Sequence, residues 1–359
     1  MTNLHVPRPL QFRMDPDGTT ECWEPVTGLA REITPAALAL LSAIARGAPR
    51  AQWEAASGLP AERVAELVDA FLASGWVAER AAAPSAQAVA GWPIFVIGCP
   101  GAGVATLGRA LNAHPRVVCL PPVAFFRPLR GIVEYPMLER GFKSRGLTVE
   151  EIYGGLRALS DRLVGEPSLL RSNKARWADA NPVNTRLIDF IDDVFEGQVL
   201  FLHVVRHPLD NVDTLVRAWE AWMAEDDPEV HALVHRYGGN TPRSCAACWA
   251  DLNDRLRIFR VAHPDRTFTV RFEDLVRPPH AALEPMLTFL GESGPSPLAD
   301  ELAGSDPHGG AGLAEEPRWR RWSAGEVRAV CRLVAPVAEA LGYALPDLPE
   351  VVPEVRERR

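Results

Sequence analysis

The residues best placed by type and spacing to handle an anion are Gly98, Gly101 and Gly103, in the run Gly98-Cys99-Pro100-Gly101-Ala102-Gly103. Trp92 and the apolar residues 94–97 lead into it as a buried strand, and Thr106, Leu107, Ala110 and Leu111 leave it at helical spacing. A helix beginning here turns its unpaired N–H groups into the loop, which suits a phosphate or sulfate. The pattern is not the dinucleotide fingerprint, and no Lys-Ser/Thr pair follows it as in nucleotide hydrolases. A plain strand–turn–helix corner is therefore the competing reading. A second set, His231, His235, Cys245 and Cys248, has enough imidazoles and thiols for a tetrahedral zinc. Its spacing is not that of a standard finger, and packing or surface roles explain the same four residues.

The elements that must position the loop alternate strand with helix. Val117–Leu120 is a short strand, and residues 150–164 and 185–195 read as helices. Residues 198–205 form the clearest central strand and end in Arg206-His207-Pro208, after which 210–223 reads as a helix. Thr267–Arg271 is a further strand, followed by a helix over 281–290. This alternation predicts a parallel α/β sheet, whose ligands belong at the carboxyl ends of the strands. Both Gly98-to-Gly103 and Arg206-to-Thr214 lie at such ends. Residues 125–145 are irregular, aromatic and mildly basic, a composition suited to a lid over a pocket or to a solvated loop.

The 359 residues suffice for about two domains. A net charge of −8 gives no general nucleic-acid footprint. Six scattered cysteines and the lack of a signal-like or membrane-spanning run predict a soluble, cytoplasmic protein. Residues 1–80 read as a separate α+β module. It has a hairpin over 10–23 around the turn Asp15-Pro16-Asp17-Gly18 and a helix capped by Thr34-Pro35. A short helix over 51–56, a third helix over 60–73 and a closing strand at Trp76-Val77 complete it. The third helix carries Glu62, Glu66 and Asp69 against Arg63 alone, which disfavours DNA. Residues 81–91 read as a linker, 92–346 as the large domain and 347–359 as a charged tail.

The N-terminal pattern is that of a winged-helix-type unit. It resembles the leader-peptide-recognising domain typified by the small chaperone of pyrroloquinoline quinone biosynthesis, in which a peptide adds a strand to the hairpin edge. A structural docking module is the alternative. Over some 250 residues the large domain resembles a sulfotransferase, of the bacterial branch similar to the tyrosylprotein enzymes. The implied fold is a P-loop-like parallel sheet. The stretch ending in Ala113-His114-Pro115 is similar to the loop that holds the 5′ end of 3′-phosphoadenosine 5′-phosphosulfate. By that resemblance Gly101, Ala102, Gly103, Val104, Ala105 and Thr106 bind the donor. Arg206 and Thr214 are similar to the Arg and Ser that grip its 3′-phosphate, although an Arg206–Asp210 pair is the plainer alternative. Residues 269–291 are similar to a framework segment, and Arg318-Trp319-Arg320-Arg321 to the part near the nucleotide.

The chain departs from the family pattern at charged and polar positions. Gly101 stands where the family has Arg or Lys, Val104 and Ala105 where it has threonines, Pro121-Pro122 near its glutamate base, and Ala180 where a lysine precedes Asn181-Pro182. Two readings follow. In the first, sulfuryl transfer proceeds from the phosphosulfate donor to a hydroxyl or similar acceptor on a peptide or small natural product. Arg318 and Arg320 then supply charge, and His207 or His203 acts as base. In the second, the fold binds adenosine 3′,5′-bisphosphate, a peptide or a partner enzyme without turnover. No metal is required by either.

Overall fold

A computed structural model of the chain describes residues 4–6, 10–14, 20–23, 30–79, 89–122, 124–220, 228–278, 280–303 and 318–347. Five strands in the described residues form the parallel sheet: β6 (Ile94–Ile97), β7 (Val117–Leu120), β8 (Arg176–Ala180), β9 (Leu200–Val205) and β10 (Thr267–Arg271). Their order is β10-β9-β6-β8-β7, with Phe95 beside both Asp179 and Phe201. β6 and β9 are buried along their whole length, which explains their unbroken apolar sequence. From β6 the chain leaves toward the β8–β7 edge, and from β9 toward the β10 edge. A crevice therefore opens between the carboxyl ends of β6 and β9, the position where sheets of this type hold ligands.

Each face of the sheet is covered. On one, Val96, Leu202 and Val204 pack with Leu107 and Leu111 of the Val104–Ala113 helix and with Leu287 of the Leu283–Leu290 helix. On the other, Phe95 meets Phe126 and Trp177 edge-on at centroid distances of 5.1 and 5.6 Å. A third apolar cluster joins Cys99 and Ala102 of the loop to Leu209, Trp249 and Val330. It anchors the loop on the Pro208–Arg217, Pro242–Ala262 and Ala324–Ala340 helices.

The sequence reading missed β8. Its residues Arg-Trp-Ala-Asp-Ala include two charges and no β-branched side chain. Arg176 is nevertheless buried, donating to the Leu290 carbonyl at 2.7 Å with Glu292 at 3.7 Å. Residues 125–145 are not irregular. They form two helices, Phe126–Glu134 and Pro136–Ser144, broken at the Tyr135–Pro136 step. The 21-residue Pro242–Ala262 helix is a further element that the alternation of strand and helix does not reveal. The helix predicted over 150–164 runs from Val149 to Ser160 behind a Thr148/Glu151 capping box and continues as a wider turn.

Among the described residues of 4–79 there are two small antiparallel sheets and three α-helices. One sheet is β2 (Gln11–Met14), β3 (Thr20–Trp23) and β4 (Ala30–Ile33); the other pairs β1 (Leu4–His5) with β5 (Ala78–Glu79). Thr34 caps the Pro35–Ala45 helix by accepting from the Ala37 amide at 3.2 Å, with Pro35 in the first turn, as its sequence predicts. The Trp53–Ser57 and Ala61–Ala73 helices complete the module's own core around Leu40, Leu41 and Trp53. The 15–18 turn, residues 81–88 and the tail from 348 lie outside the described residues. Val89, read as linker, is buried against the large sheet.

Candidate functional site

The glycine run after β6 is shaped by three close approaches. A Cβ on Gly98 would lie 2.3 Å from the Val204 carbonyl oxygen. One on Gly101, at φ +78°, would lie 2.7 Å from Thr214 Cγ2, and one on Gly103, at φ +106°, 2.2 Å from Phe272 Cδ2. The loop needs both the left-handed backbone and the missing side chains.

Side chains from neighbouring strand ends hold its carbonyls. Thr185 Oγ1 accepts from the Gly98 amide and donates to the Gly98 carbonyl, both at 2.9 Å. Asn211 Nδ2 donates to the Pro100 carbonyl at 2.7 Å. Arg206 Nη1 donates to the Gly101 carbonyl at 3.0 Å and to Thr214 Oγ1 at 3.3 Å, while that hydroxyl donates to the Asp210 carbonyl at 3.0 Å. With these carbonyls taken, the Val104–Ala113 helix begins at Gly103 with no side-chain cap. The amides of Val104, Ala105 and Thr106 precede the first intrahelical bond, from Leu107 to Gly103, so they open at the helix end. Thr106 is 4% exposed, so its hydroxyl is turned into the fold and only its amide faces the loop end of the helix.

Arg206 is 3% exposed, with its guanidinium 5.1 Å over the Phe272 ring. Burial lowers its pKa, opposed by Asp210 and Glu273. Asp210 is the leading carboxylate acting on Arg206, and its Oδ1 also accepts from Trp319 Nε1 at 2.6 Å. That bond seats the Arg318–Arg321 turn against the Pro208–Arg217 helix. Arg320 is exposed, its guanidinium 5.5 Å over the Trp319 ring. The side chain of Arg318 lies outside the described set.

His207 follows Arg206 but its ring turns to the C-terminal segment. It meets Tyr343 edge-on at 5.6 Å, Nε2 lies 3.4 Å from the Ala344 carbonyl, and Nδ1 is enclosed. Its amide donates to Glu273, whose other oxygen accepts from Tyr343. His203 is fully buried and donates from Nε2 to Asn253 Oδ1 at 2.9 Å. Burial pushes it down to about 4, so it is neutral and out of reach of an acceptor. His231 and His235 are exposed on one helix, whereas Cys245 and Cys248 are buried in another. Among the described residues no group of three or more potential ligands converges. Burial pushes the Cys245 thiol up to about 12, which disfavours a reactive thiolate pair.

Residues the sequence reading passed over include Asn211, Thr185, Phe272 and Asp179. Asn211 and Thr214 are three apart on a helix, so both reach the loop; that spacing was the available signal. Asp179, in β8, accepts from Asn184 Nδ2 at 3.0 Å, and its other oxygen is enclosed without a partner. Burial raises its carboxyl to about 7 from 3.8. The folded state thus keeps this proton, and the stability it confers is complete below about pH 4 and lost as pH rises to about 7. Asp179→Asn is expected to melt like the wild type at pH 4 and to be more stable at pH 8, by on the order of 4 kcal/mol. Melting curves across that range test this; equal shifts at both pH values would show that Asp179 does not bind the proton.

Arg206, Thr214 and the glycine loop thus meet at the β6–β9 crevice: a buried guanidinium at one strand end, free helix amides at the next. A sequence model described as the sulfotransferase family matches residues 93–295, more than half of the chain. Among solved structures, the chain is similar to the sulfotransferase domain of the Synechococcus PCC 7002 olefin synthase (20% identity, 71% of this chain and 96% of that one, TM-score 0.46). It is also similar to the sulfotransferase domain of the curacin biosynthetic pathway (18%, 70% and 98%, TM-score 0.44) and to a mouse sulfotransferase complexed with PAP (12%, 69% and 84%, TM-score 0.37). No curated protein sequence matches. By the span of that match, and with an α/β parallel sheet of the expected kind, the chain belongs to the sulfotransferase family.

Proposed function

We propose that the crevice binds 3′-phosphoadenosine 5′-phosphosulfate and that the protein passes its sulfuryl group to a hydroxyl or similar acceptor on a peptide or small natural product. The observation that carries this reading is Arg206, buried at the end of β9 and bonded to both Gly101 and Thr214. The donor set fits the nucleotide: Arg206 and Thr214 suit its 3′-phosphate, and the uncapped amides of Val104, Ala105 and Thr106 suit its 5′ end. When bound, the donor supplies an activated sulfuryl group on a phosphate leaving group. The chain's part is to hold both phosphates and to steady charge gathering at the loop. Arg320, with Arg318 in the same turn, is the cationic candidate bordering the site. His207 acts as base only after its ring leaves Tyr343. The N-terminal module, read as winged-helix-type, is the proposed peptide-recognition element.

A second reading, a catalytically impaired scaffold of the tyrosylprotein-like branch, is favoured by the space at two positions. Gly101 cannot take a side chain without striking Thr214, and a Cβ on Gly108 would lie 2.4 Å from Ala180 Cβ. Gly108 thus lets the helix lie directly against Ala180. Gly101→Lys is accordingly expected to lower stability and nucleotide affinity and not to raise turnover. Incubation with the phosphosulfate donor and candidate acceptors, following bisphosphate release and acceptor mass, separates the readings. Acceptor-dependent transfer lost in Arg206→Ala supports the enzyme. Nucleotide binding with no transfer across a broad acceptor panel supports the scaffold.

A further inference from the structure

The turn that follows β8 holds the glycine loop, and it is itself held by a pair of side chains short of one proton. In that Pro182–Leu187 turn, Thr185 closes on both the amide and the carbonyl of Gly98. Its neighbour Asn184, fully buried, donates from Nδ2 to Asp179 Oδ2 at 3.0 Å. The remaining oxygens of the pair, Asp179 Oδ1 and Asn184 Oδ1, are both enclosed and neither meets a donor. Two acceptors left over on one buried pair are unfavourable, because each has given up water and gained nothing in exchange. One proton on Asp179 removes both defects. Its Oδ1–H donates to the Asn184 oxygen, and acid and amide close a ring of two hydrogen bonds.

The surroundings favour that proton. Asp179 shares the Trp177 face of β8, since Ala178 and Ala180 pack on the opposite face, and its sheet neighbours Phe95 and Leu120 are apolar. The nearby charges are committed elsewhere. Arg186 of the same turn pairs with Asp251, and Arg130 bonds Glu134 and the Arg186 carbonyl. Lys174 donates to the Asn112 and Val117 carbonyls. The Cys119 thiol of β7 is pushed up to about 12, chiefly by burial, and is therefore neutral. Burial likewise raises the Asp179 carboxyl to about 7. We propose that Asp179 is a positioning residue for the loop: its protonated carboxyl and Asn184 form a brace that keeps Thr185 on Gly98, and ionisation releases it. A buried carboxylate without a compensating donor draws water into the turn, and Thr185 loses its backing. The brace is intact below about pH 6 and lost as pH rises past 7. Its effect on ligand rests on the nucleotide reading of the crevice; the brace itself does not.

The test compares the wild type with Asp179→Asn, whose amide donates to Asn184 Oδ1 and accepts from Nδ2 at every pH. Hydrogen exchange of residues 94–103 in the free protein is expected to match at pH 6 and to be about fivefold faster in the wild type at pH 8.5. Comparing the two proteins at one pH cancels the base catalysis of exchange. Calorimetry with adenosine 3′,5′-bisphosphate is expected to give equal affinities at pH 6 and roughly fivefold weaker binding by the wild type at pH 8.5. The ligand's own phosphate titration is common to both proteins. Thr185→Val, which cuts the link to Gly98, is expected to exchange fast at both pH values. Bisphosphate bound by neither protein, with the exchange difference present, would support the brace and count against the nucleotide reading. Identical exchange in the two proteins at pH 8.5, or a wild-type pH response in Thr185→Val, would overturn the brace. Nucleotide bound with equal affinity by both proteins at pH 8.5 would overturn its positioning role.

Discussion

Arg206→Ala is expected to weaken binding of adenosine 3′,5′-bisphosphate by about 100-fold or more while leaving the fold intact. The guanidinium is buried and engaged with the loop and with Thr214, so a phosphate placed there would be drawn to a charge with little competing water. Truncating one partner of a buried charge contact typically costs about 2–5 kcal/mol, which spans that factor. A smaller structural cost comes with it, because the Gly101 carbonyl loses its donor; an orphaned buried acceptor costs about 1–3 kcal/mol. The Thr214 hydroxyl keeps its bond to the Asp210 carbonyl, so the helix itself should hold. Calorimetry beside a denaturant melt separates the two effects. Arg206→Lys should recover part of the affinity, since charge remains and the forked geometry does not.

Gly103→Ala should be the most damaging single methyl in the loop. Its φ of +106° is strained for any L side chain, and the new Cβ would overlap Phe272, itself 1% exposed. Phe272 cannot retreat without moving Arg206, whose guanidinium lies on its ring. Strain and overpacking together are expected to cost about 3 kcal/mol or more, read as a lowered denaturation midpoint, and nucleotide affinity should fall with it. Gly131→Ala is the control. It sits in a helix with nothing within 4 Å of an added Cβ, so it should be neutral or slightly stabilising. Equal melting of the two variants would mean that the loop tolerates a side chain at residue 103.

What was legible in the sequence was whatever repeats locally. The all-apolar runs of β6 and β9, the Thr34-Pro35 cap and the glycine loop all announce themselves within a few residues. β8 did not, because Arg176 enters the sheet only by virtue of the distant Glu292 and Leu290 carbonyl, and Asp179 by its bond to Asn184 in the turn that follows. The Phe126–Glu134 helix is masked by Pro128 and Gly131, local breakers overridden by packing of Phe126 and Leu129 on the sheet, while Pro136 ends it and opens the Pro136–Ser144 helix. At the site, the sequence named Arg206, Thr214 and the loop. It did not reveal that Arg206 grips the loop carbonyl, nor that His207 turns away onto Tyr343, since both depend on chain more than 100 residues distant. The blocked position at 101 and the close fit of Gly108 on Ala180 are likewise facts of close approach, invisible in composition.

The proposed function turns on recognition of the 3′-phosphate of an adenine nucleotide by Arg206 and Thr214 in the β6–β9 crevice. Its most direct measurement is a pair of calorimetric titrations of the wild-type chain, one with adenosine 3′,5′-bisphosphate and one with adenosine 5′-monophosphate. Saturable binding of the bisphosphate is expected, at least tenfold tighter than the monophosphate, with the difference erased in Arg206→Ala. Equal affinity for the two nucleotides, or no heat from either, would contradict it.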